Sequence, residues 1–570
     1  MGLVYKQLIK QIAHNKIFVV LLLLLTMLTS LSFFFVIFSI DGNMAILNAM
    51  PDLTENQHLY KNALNANTTL AYTFFASLTG LTAFVFVMFF YRFYRSNKKQ
   101  IGCIKSLGFK DNDLRTCFVV FVAVLSIVGA VLGLIGGYFL SSVLIDANTR
   151  TYSVTGLIKG VSLPSLCVGL AVSTVIFCII AFLCYSFVRG KEPGVLIAGN
   201  QNQARFSFVL RAANKISGII PVKNKFPLRI ALRKPLAVLL ILVAVMSFSV
   251  CMILGRSLNI SSQNVFDSQT VGHNYAFDTT YSEYQINPTP ENAVLYLDSP
   301  TMLNVGSYDI EQTIIGLYSL NSVYELQNIN GDILSLPEKG TVYINPGLSE
   351  IYGVNVGDTL ITDIAGEQHT FIVVEIADNA KSASVYINAN ELTEILELQA
   401  GAYNGVLSME EMADGVAITK AQRIDNLNRN AVSNNISAII NQVTGGIVGA
   451  ILIFLALYVN FQDNTRDMLI LHMMGYRIKN IRNLLVDVYK PIVWMAFLLT
   501  IAPSILLAGS IQKSLSISTN DYMPFGTNII VVLIIFALLN IIYWLVQIMF
   551  GLGIRRTIAR EEISEMIYTE

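Results

Sequence analysis

Residues 17–40 read IFVVLLLLLTMLTSLSFFFVIFSI, an unbroken run without one charged side chain. A helix rises about 1.5 Å per residue and the hydrocarbon core of a bilayer is about 30 Å thick, so about 20 such residues suffice to cross. Lys6, Lys10 and Lys16 precede the run, which raises the alternative of a secretory leader. The run exceeds the roughly 7–15 residues of a leader's apolar region, and no clear small-residue cleavage site accompanies it. It reads as a retained first membrane helix.

Seven further stretches have the same character: 70–91, 118–144, 163–188, 236–254, 443–459, 492–507 and 529–550. The sixth and seventh are short; the sixth is expected to extend back toward Ile436, and Pro503 inside the seventh predicts a kink. Composition agrees. The 570 residues are 54% hydrophobic and 13% charged, against about 25% charged in soluble globular chains. None of the eight stretches contains Asp, Glu, Lys, Arg or His. Ion- and proton-coupled carriers keep such groups at mid-membrane as relays, so this absence argues against a secondary transporter.

Positive charge is segregated. Residues 92–115 carry seven Lys or Arg and 189–234 carry ten; Arg466, Arg477, Lys479, Arg482 and Lys490 follow the sixth stretch, and Arg555, Arg556 and Arg560 lie in the tail. The alternate connections are poor in both. By the positive-inside rule the basic segments and both termini are cytoplasmic, and 41–69, 145–162, 255–442 and 508–528 lie outside. The chain is therefore placed in a cell membrane as a multi-pass protein.

Residues 257–435 hold 23 Asp or Glu against 5 Lys or Arg and are long enough for a core of their own. Strands are expected at Thr341–Ile344, Thr359–Asp363, Thr370–Ile376 and Ser384–Ile387, with turn chemistry at Gly353, Gly357, Asp358 and Gly366, and helices near Glu391–Leu398 and Lys420–Asn435. The acidity is read first as solubility, and second as attraction of cationic ligands. The six cysteines lie in or beside apolar runs, so no disulfide framework is available to this domain. The five histidines show no metal-ligand spacing.

The two halves follow one plan. A basic amphipathic segment (6–16, then 226–235) leads into an outward helix, an outside excursion, a returning helix, a basic loop and a two-helix hairpin. The loops align at a constant offset of 367 residues: Lys99, Gln100 and Ile101 with Arg466, Asp467 and Met468; Leu107, Gly108 and Phe109 with Met474, Gly475 and Tyr476. Each loop predicts a short helix, a glycine stop and a second helix, an elbow at the membrane surface. Gly108 and Gly475 stand where a left-handed residue ends a helix. A plainer reading makes the elbows anchors to anionic lipid headgroups.

Residues 98–114, KKQIGCIKSLGFKDNDL, resemble the signature loop of FtsX-like, or MacB-type, ABC transporter permeases; the second copy at 466–481 is looser. Gln100 and Asp467 stand where that family has glutamate. Residues 352–379 also resemble a strand-rich piece of the family's extracytoplasmic domains. The resemblance implies two fused permease modules whose elbows couple to two copies of a cytoplasmic ABC ATPase. ATP and Mg would be bound on that partner, since no G-x-x-x-x-G-K-[S/T] loop occurs here and this chain is expected to bind no cofactor. The chain is expected to be non-catalytic, bacterial, and without a nucleic-acid partner.

The fold class expected is an α-helical membrane protein of eight helices in two four-helix repeats, with an α/β domain between the fifth and sixth. The layout is a first module at 1–198, a linker at 199–225, an elbow and helix at 226–256, the outside domain at 257–435, three helices at 436–554 and a tail at 555–570. Gly129, Gly133 and Gly137, and Gly445 and Gly449, mark close helix contacts. Two functions compete. One is a transporter subunit handling an amphipathic substrate, such as an antimicrobial peptide whose removal confers resistance, or a lipid-like molecule at the acidic domain. The other is a mechanotransmission protein that switches a cell-wall hydrolase or reports to a sensor kinase.

Overall fold

The structure is a computed structural model and describes residues 16–51, 53–198, 235–286, 292–306, 308–412, 415–463, 470–485, 487–519 and 522–560. The basic segment before Lys16, the linker at 199–225, most of the segment 226–235 and the tail beyond Arg560 lie outside those residues, as do Arg466, Asp467 and Met468.

Among the described residues eight helices are long and apolar enough to cross a membrane. The described chain begins with α1 (Lys16–Ala49), α2 (Glu55–Ser96), the short α3 (Lys98–Ser106), α4 (Asp111–Tyr152), α5 (Leu163–Cys184) and the short α6 (Pro193–Ala198). Then come α7 (Pro235–Ser268) and the β-rich domain, which contains α8 (Pro346–Tyr352) and α9 (Ala389–Ile395). The chain ends in α10 (Lys420–Asp463), α11 (Ile478–Leu485), α12 (Lys490–Thr519) and α13 (Ile529–Arg560).

Every apolar stretch sits within or largely within one of these helices, and most helices run on beyond it. The sixth extends back as expected, the apolar span beginning at Ala438, and the helix continues further: α10 is one helix of 44 residues, about 66 Å long, that carries the expected 420–435 helix and the span together. Pro503 lies inside α12, which continues through it. In α5 a single π turn spans Val168–Val172. Gly169 lies there so close to α1 that a Cβ would stand 2.3 Å from the Phe34 ring, and its carbonyl accepts from Ser30 Oγ at 3.3 Å. The wide turn thus hands a backbone acceptor to a neighbouring helix.

α1 packs on α2 and α4, and α7 packs on α10 and α12. The two groups meet where α2 touches α12 and α4 touches α10. Inside the first group the Thr29 and Thr82 hydroxyls pair at 3.0 Å. At the far end of α1, Asn43 makes two bonds to Ile158, donating to its carbonyl at 3.0 Å and accepting its N–H at 2.8 Å.

The β-rich domain is a nine-stranded sheet. Its strands are β1 (Phe277–Gln285), β2 (Val294–Val305), β3 (Tyr308–Leu317), β4 (Thr341–Ile344), β5 (Thr359–Ile364), β6 (Glu367–Ile376), β7 (Ser384–Asn388), β8 (Tyr403–Ser408) and β9 (Val416–Thr419). The order β3-β7-β4-β6-β5-β2, with β2 also paired to β3, closes six strands on themselves. Leu297, Leu303, Ile314, Val342, Phe371, Val373 and Val385 fill that closure. β8, β1 and β9 extend from the first part of β2. β2 pairs with β8 over 294–296 and with β5 over 301–304, which leaves a gap. Asn404 closes it, donating to the Asp298 carbonyl at 3.0 Å and accepting its N–H at 2.8 Å. Pro300 lies in that gap, where the lost donor matters least.

Candidate functional site

α2 stops at Asn97, whose N–H bonds the Phe93 carbonyl at 2.9 Å, and α3 begins at the next residue. Ile101 and Ile104 turn into the bundle core, while Lys99, Gln100 and Cys103 are exposed. At the end of α3 the Gly108 N–H bonds the Lys105 carbonyl at 3.0 Å, and Gly108 takes φ +90°. Leu107, just before it, is 75% exposed, an apolar tip held in water by the turn. Phe109 packs back on the core, and α4 starts at Asp111.

The second elbow turns the same way. After a helical turn ending at Met473, the Gly475 N–H bonds the His472 carbonyl at 2.9 Å and the Tyr476 N–H bonds the Leu471 carbonyl at 3.1 Å. Those two bonds, with Gly475 at φ +85°, make a Schellman stop. Met474 and Tyr476 are exposed. Met474 and Leu107 thus occupy equivalent tips.

Both elbows lie at the end of the bundle away from the β-rich domain. α4 runs from the first elbow to Tyr152, and there the Thr151 hydroxyl bonds the carbonyl of Arg429, on the half of α10 next to the sheet. α12 runs from beyond the second elbow to Thr519, and Tyr522 just after it abuts Gly347 of α8. On α10, Arg423 stacks on Tyr275 and donates to the His273 carbonyl at 3.0 Å.

The elbows are tied down differently. In the first, Lys105 Nζ lies 2.6 Å from Asp111 Oδ1 across the glycine turn and donates to the carbonyl of Val188 at 3.2 Å. The Asp111 carboxylate also accepts the Tyr185 hydroxyl at 2.7 Å. Three segments are sewn together: α3, the start of α4 and the stretch after α5. Gly102 adds a fourth, for a Cβ there would meet Leu196 and Ile197 of α6 at 2.9 Å. In the second elbow His472 and Ile478 stand 367 residues after Lys105 and Asp111, so neither charge is present. Its tie is Asp487, which accepts from Gln547 of α13 and stands 3.9 Å from Arg482 Nε.

The glycine stripes sit at helix contacts. A Cβ on Gly129 would reach 2.0 Å from Thr26 Oγ1, on Gly133 2.6 Å from the Met27 carbonyl, and on Gly137 2.7 Å from Phe34 Cβ, all on α1. Gly445 and Gly449 of α10 face Cys251 and Phe248 of α7 at 2.3 and 3.0 Å. Backbones approach this closely only where a side chain is missing.

Sequence reasoning missed Lys105, Asp111, Tyr185 and Gly102. Opposite charges flanking the glycine were a usable signal for the first two; Tyr185, 74 residues from Asp111, left none. Among the described residues no three of His, Cys, Asp and Glu gather as a metal would need.

Eight apolar helices joined to a β-rich domain define an α-helical multi-pass membrane protein. Residues 72–193 match the family model of the FtsX-like permease C-terminal domain, a stretch that runs from α2 through the first elbow to the start of α6. The chain thus carries an FtsX-like permease domain, of the family whose members are in general non-catalytic membrane subunits of ABC-type transporters working with a cytoplasmic ATPase. No curated protein matches the chain.

Proposed function

We propose that this chain is the permease subunit of an ABC complex in which two FtsX-like modules are fused, with both elbows and both termini in the cytoplasm. One ATPase subunit on a separate chain docks at each elbow. Closure of the ATPase pair on ATP pushes the elbows, and α4 and α12 carry the motion to the β-rich domain outside. The observation that carries this reading is the pairing of Gly108 and Gly475. Both turn at left-handed φ on the same end of the bundle; Gly108 leads into α4 directly and Gly475 leads into α12 by way of the short α11, and both long helices reach the supports of the β-rich domain. The acidity of that domain and the uncharged spans favour an amphipathic peptide or lipid-like substrate handled at the outer surface rather than a polar path through the bilayer.

Mass spectrometry of the intact complex tests this. The chain co-expressed with its cognate ABC ATPase is expected to hold two ATPase subunits per copy, and the chain alone to hydrolyse no ATP. Two copies of this chain in one complex would count against fused modules.

A further inference from the structure

The first elbow is more than its nine-residue helix. α6 lies against α3 at Gly102, where Leu196 is buried and Ile197 bridges the seam while staying 39% exposed. Val195 beside it is 43% exposed. Exposed charges flank the two helices in the chain: Lys99 in α3 and Lys110 after it, and Arg189, Lys191 and Glu192 before α6, four cations to one acid. The Lys105–Asp111–Tyr185 bonds hold this assembly at a fixed angle to α4 and α5. The two elbows otherwise align residue by residue, yet the second has His472 and Ile478 at the positions of that pair.

We propose that α3 and α6 form one composite docking platform for a single ATPase subunit, with Leu107, Val195 and Ile197 as its apolar contacts. The second elbow takes its subunit on the Met474 tip. The inference rests on the permease reading above and deepens it by naming the surface. The occupant follows from continuity, because the permease match spans the elbow and ends at Pro193, where α6 begins. It follows also from charge, since the cations around Leu107 suit an acidic-rimmed apolar groove. The latch makes the first platform preset, so docking there orders fewer groups than docking at the second elbow.

The test uses the full chain in detergent with its cognate ABC ATPase, without nucleotide, counted by mass spectrometry of the intact complex. The parent is expected to hold two subunits. Val195→Glu, Leu107→Glu and Met474→Glu are each expected to hold one, since every change removes one of two sites. Val195→Cys, in a chain with the exposed Cys103 and Cys167 replaced by serine that itself holds two, should also hold one once modified with a bulky maleimide before mixing, and this second arm needs no altered charge during folding. If Val195→Glu and blocked Val195→Cys both hold two while Leu107→Glu holds one, α6 is not part of the platform and the inference falls alone. If the parent holds none, or if Leu107→Glu and Met474→Glu both hold two, the permease reading falls with it.

Discussion

The guanidinium of Arg423 lies 3.9 Å from the centre of the Tyr275 ring, and one of its N–H groups donates to the His273 carbonyl at 3.0 Å. Arg423 belongs to α10, a membrane helix, whereas Tyr275 and His273 belong to the approach to the sheet. This is therefore a joint between the bundle and the β-rich domain. Lys381 stands on the other side of the same cluster, bonded to Asp278 at 2.7 Å and 4.8 Å from the Tyr296 ring centre.

Removing the guanidinium should loosen this joint. Arg423→Met loses a cation–π contact and a charged hydrogen bond, about 1–3 kcal/mol together. Arg423→Lys keeps the charge but not the planar stack, so an intermediate loss is expected. Hydrogen exchange at 273–280 is the measurement, and it should quicken in the order parent, Lys, Met. Equal exchange in all three would show that the joint carries no strength.

His273 should make the same region acid-sensitive. Its Nε2 lies 2.7 Å from the Asn379 carbonyl and therefore carries the proton, leaving Nδ1 to accept from the Tyr275 hydroxyl at 3.3 Å. Burial is the main force against a second proton. The Asn379 carbonyl works the other way, the nearby Lys381 and Arg423 charges add to the burial effect, and Asp278 opposes them; the imidazole is pulled from 6.5 down to about 4. The unfolded chain thus binds more protons between those values. Stability is full above about pH 6.5 and falls as pH drops toward about 4, by on the order of 3 kcal/mol. Melting of the detergent-solubilised chain should shift down between pH 7 and pH 5, and His273→Gln should flatten that slope. An unchanged slope in the variant would assign the acid sensitivity elsewhere.

How much of this was readable beforehand follows from which force decides each element. The eight spans were legible because a bilayer tolerates little except uniform apolarity. β4 and β7 were legible to within a residue as short apolar strands and β5 by its alternation, Leu360, Thr362 and Ile364 facing inward with Thr359, Ile361 and Asp363 facing out. β1 was not, because FDTTYSEYQ buries only one residue fully and is held by partners on both sides. β2 was not expected either: Asp298 and Pro300 interrupt its apolar pattern, and the Asn404 side chain, 106 residues away from Asp298, bonds it across the gap. The glycine turns were legible because few other residues suit φ near +90°. The ties around them were not, because they join residues far apart in the chain.

The orientation has a direct check. Asn330 is exposed on the β-rich domain and Asn112 is exposed beside the first elbow. In a chain with the exposed Cys103 and Cys167 replaced by serine, Asn330→Cys should react with an impermeant thiol reagent on intact cells and Asn112→Cys only after lysis. The basis is the excess of Lys and Arg in the elbow segments. Labelling of Asn112→Cys in sealed cells would invert the topology and remove the ATPase from the elbows.

The last prediction concerns the glycines themselves. Nothing lies within 4 Å of a Cβ built on Gly108 or Gly475, so valine at either position meets no neighbour. The cost comes from the backbone alone, which holds φ +90° and +85° where a β-branched residue is a misfit. That strain is about 1–3 kcal/mol, which a large bundle should absorb locally. Gly108→Val and Gly475→Val should therefore insert at normal levels while Leu107 or Met474 is turned off its docking angle. The first elbow is braced by Lys105 and Asp111 against a change of angle, and the second lacks that pair. Gly475→Val is thus expected to lose ATPase coupling more completely than Gly108→Val, and Gly108→Val combined with Asp111→Asn should fall to the level of Gly475→Val. ATPase pull-down and ATP hydrolysis in reconstituted membranes measure both. If the two single variants bind and couple like the parent, the elbows serve as membrane anchors only.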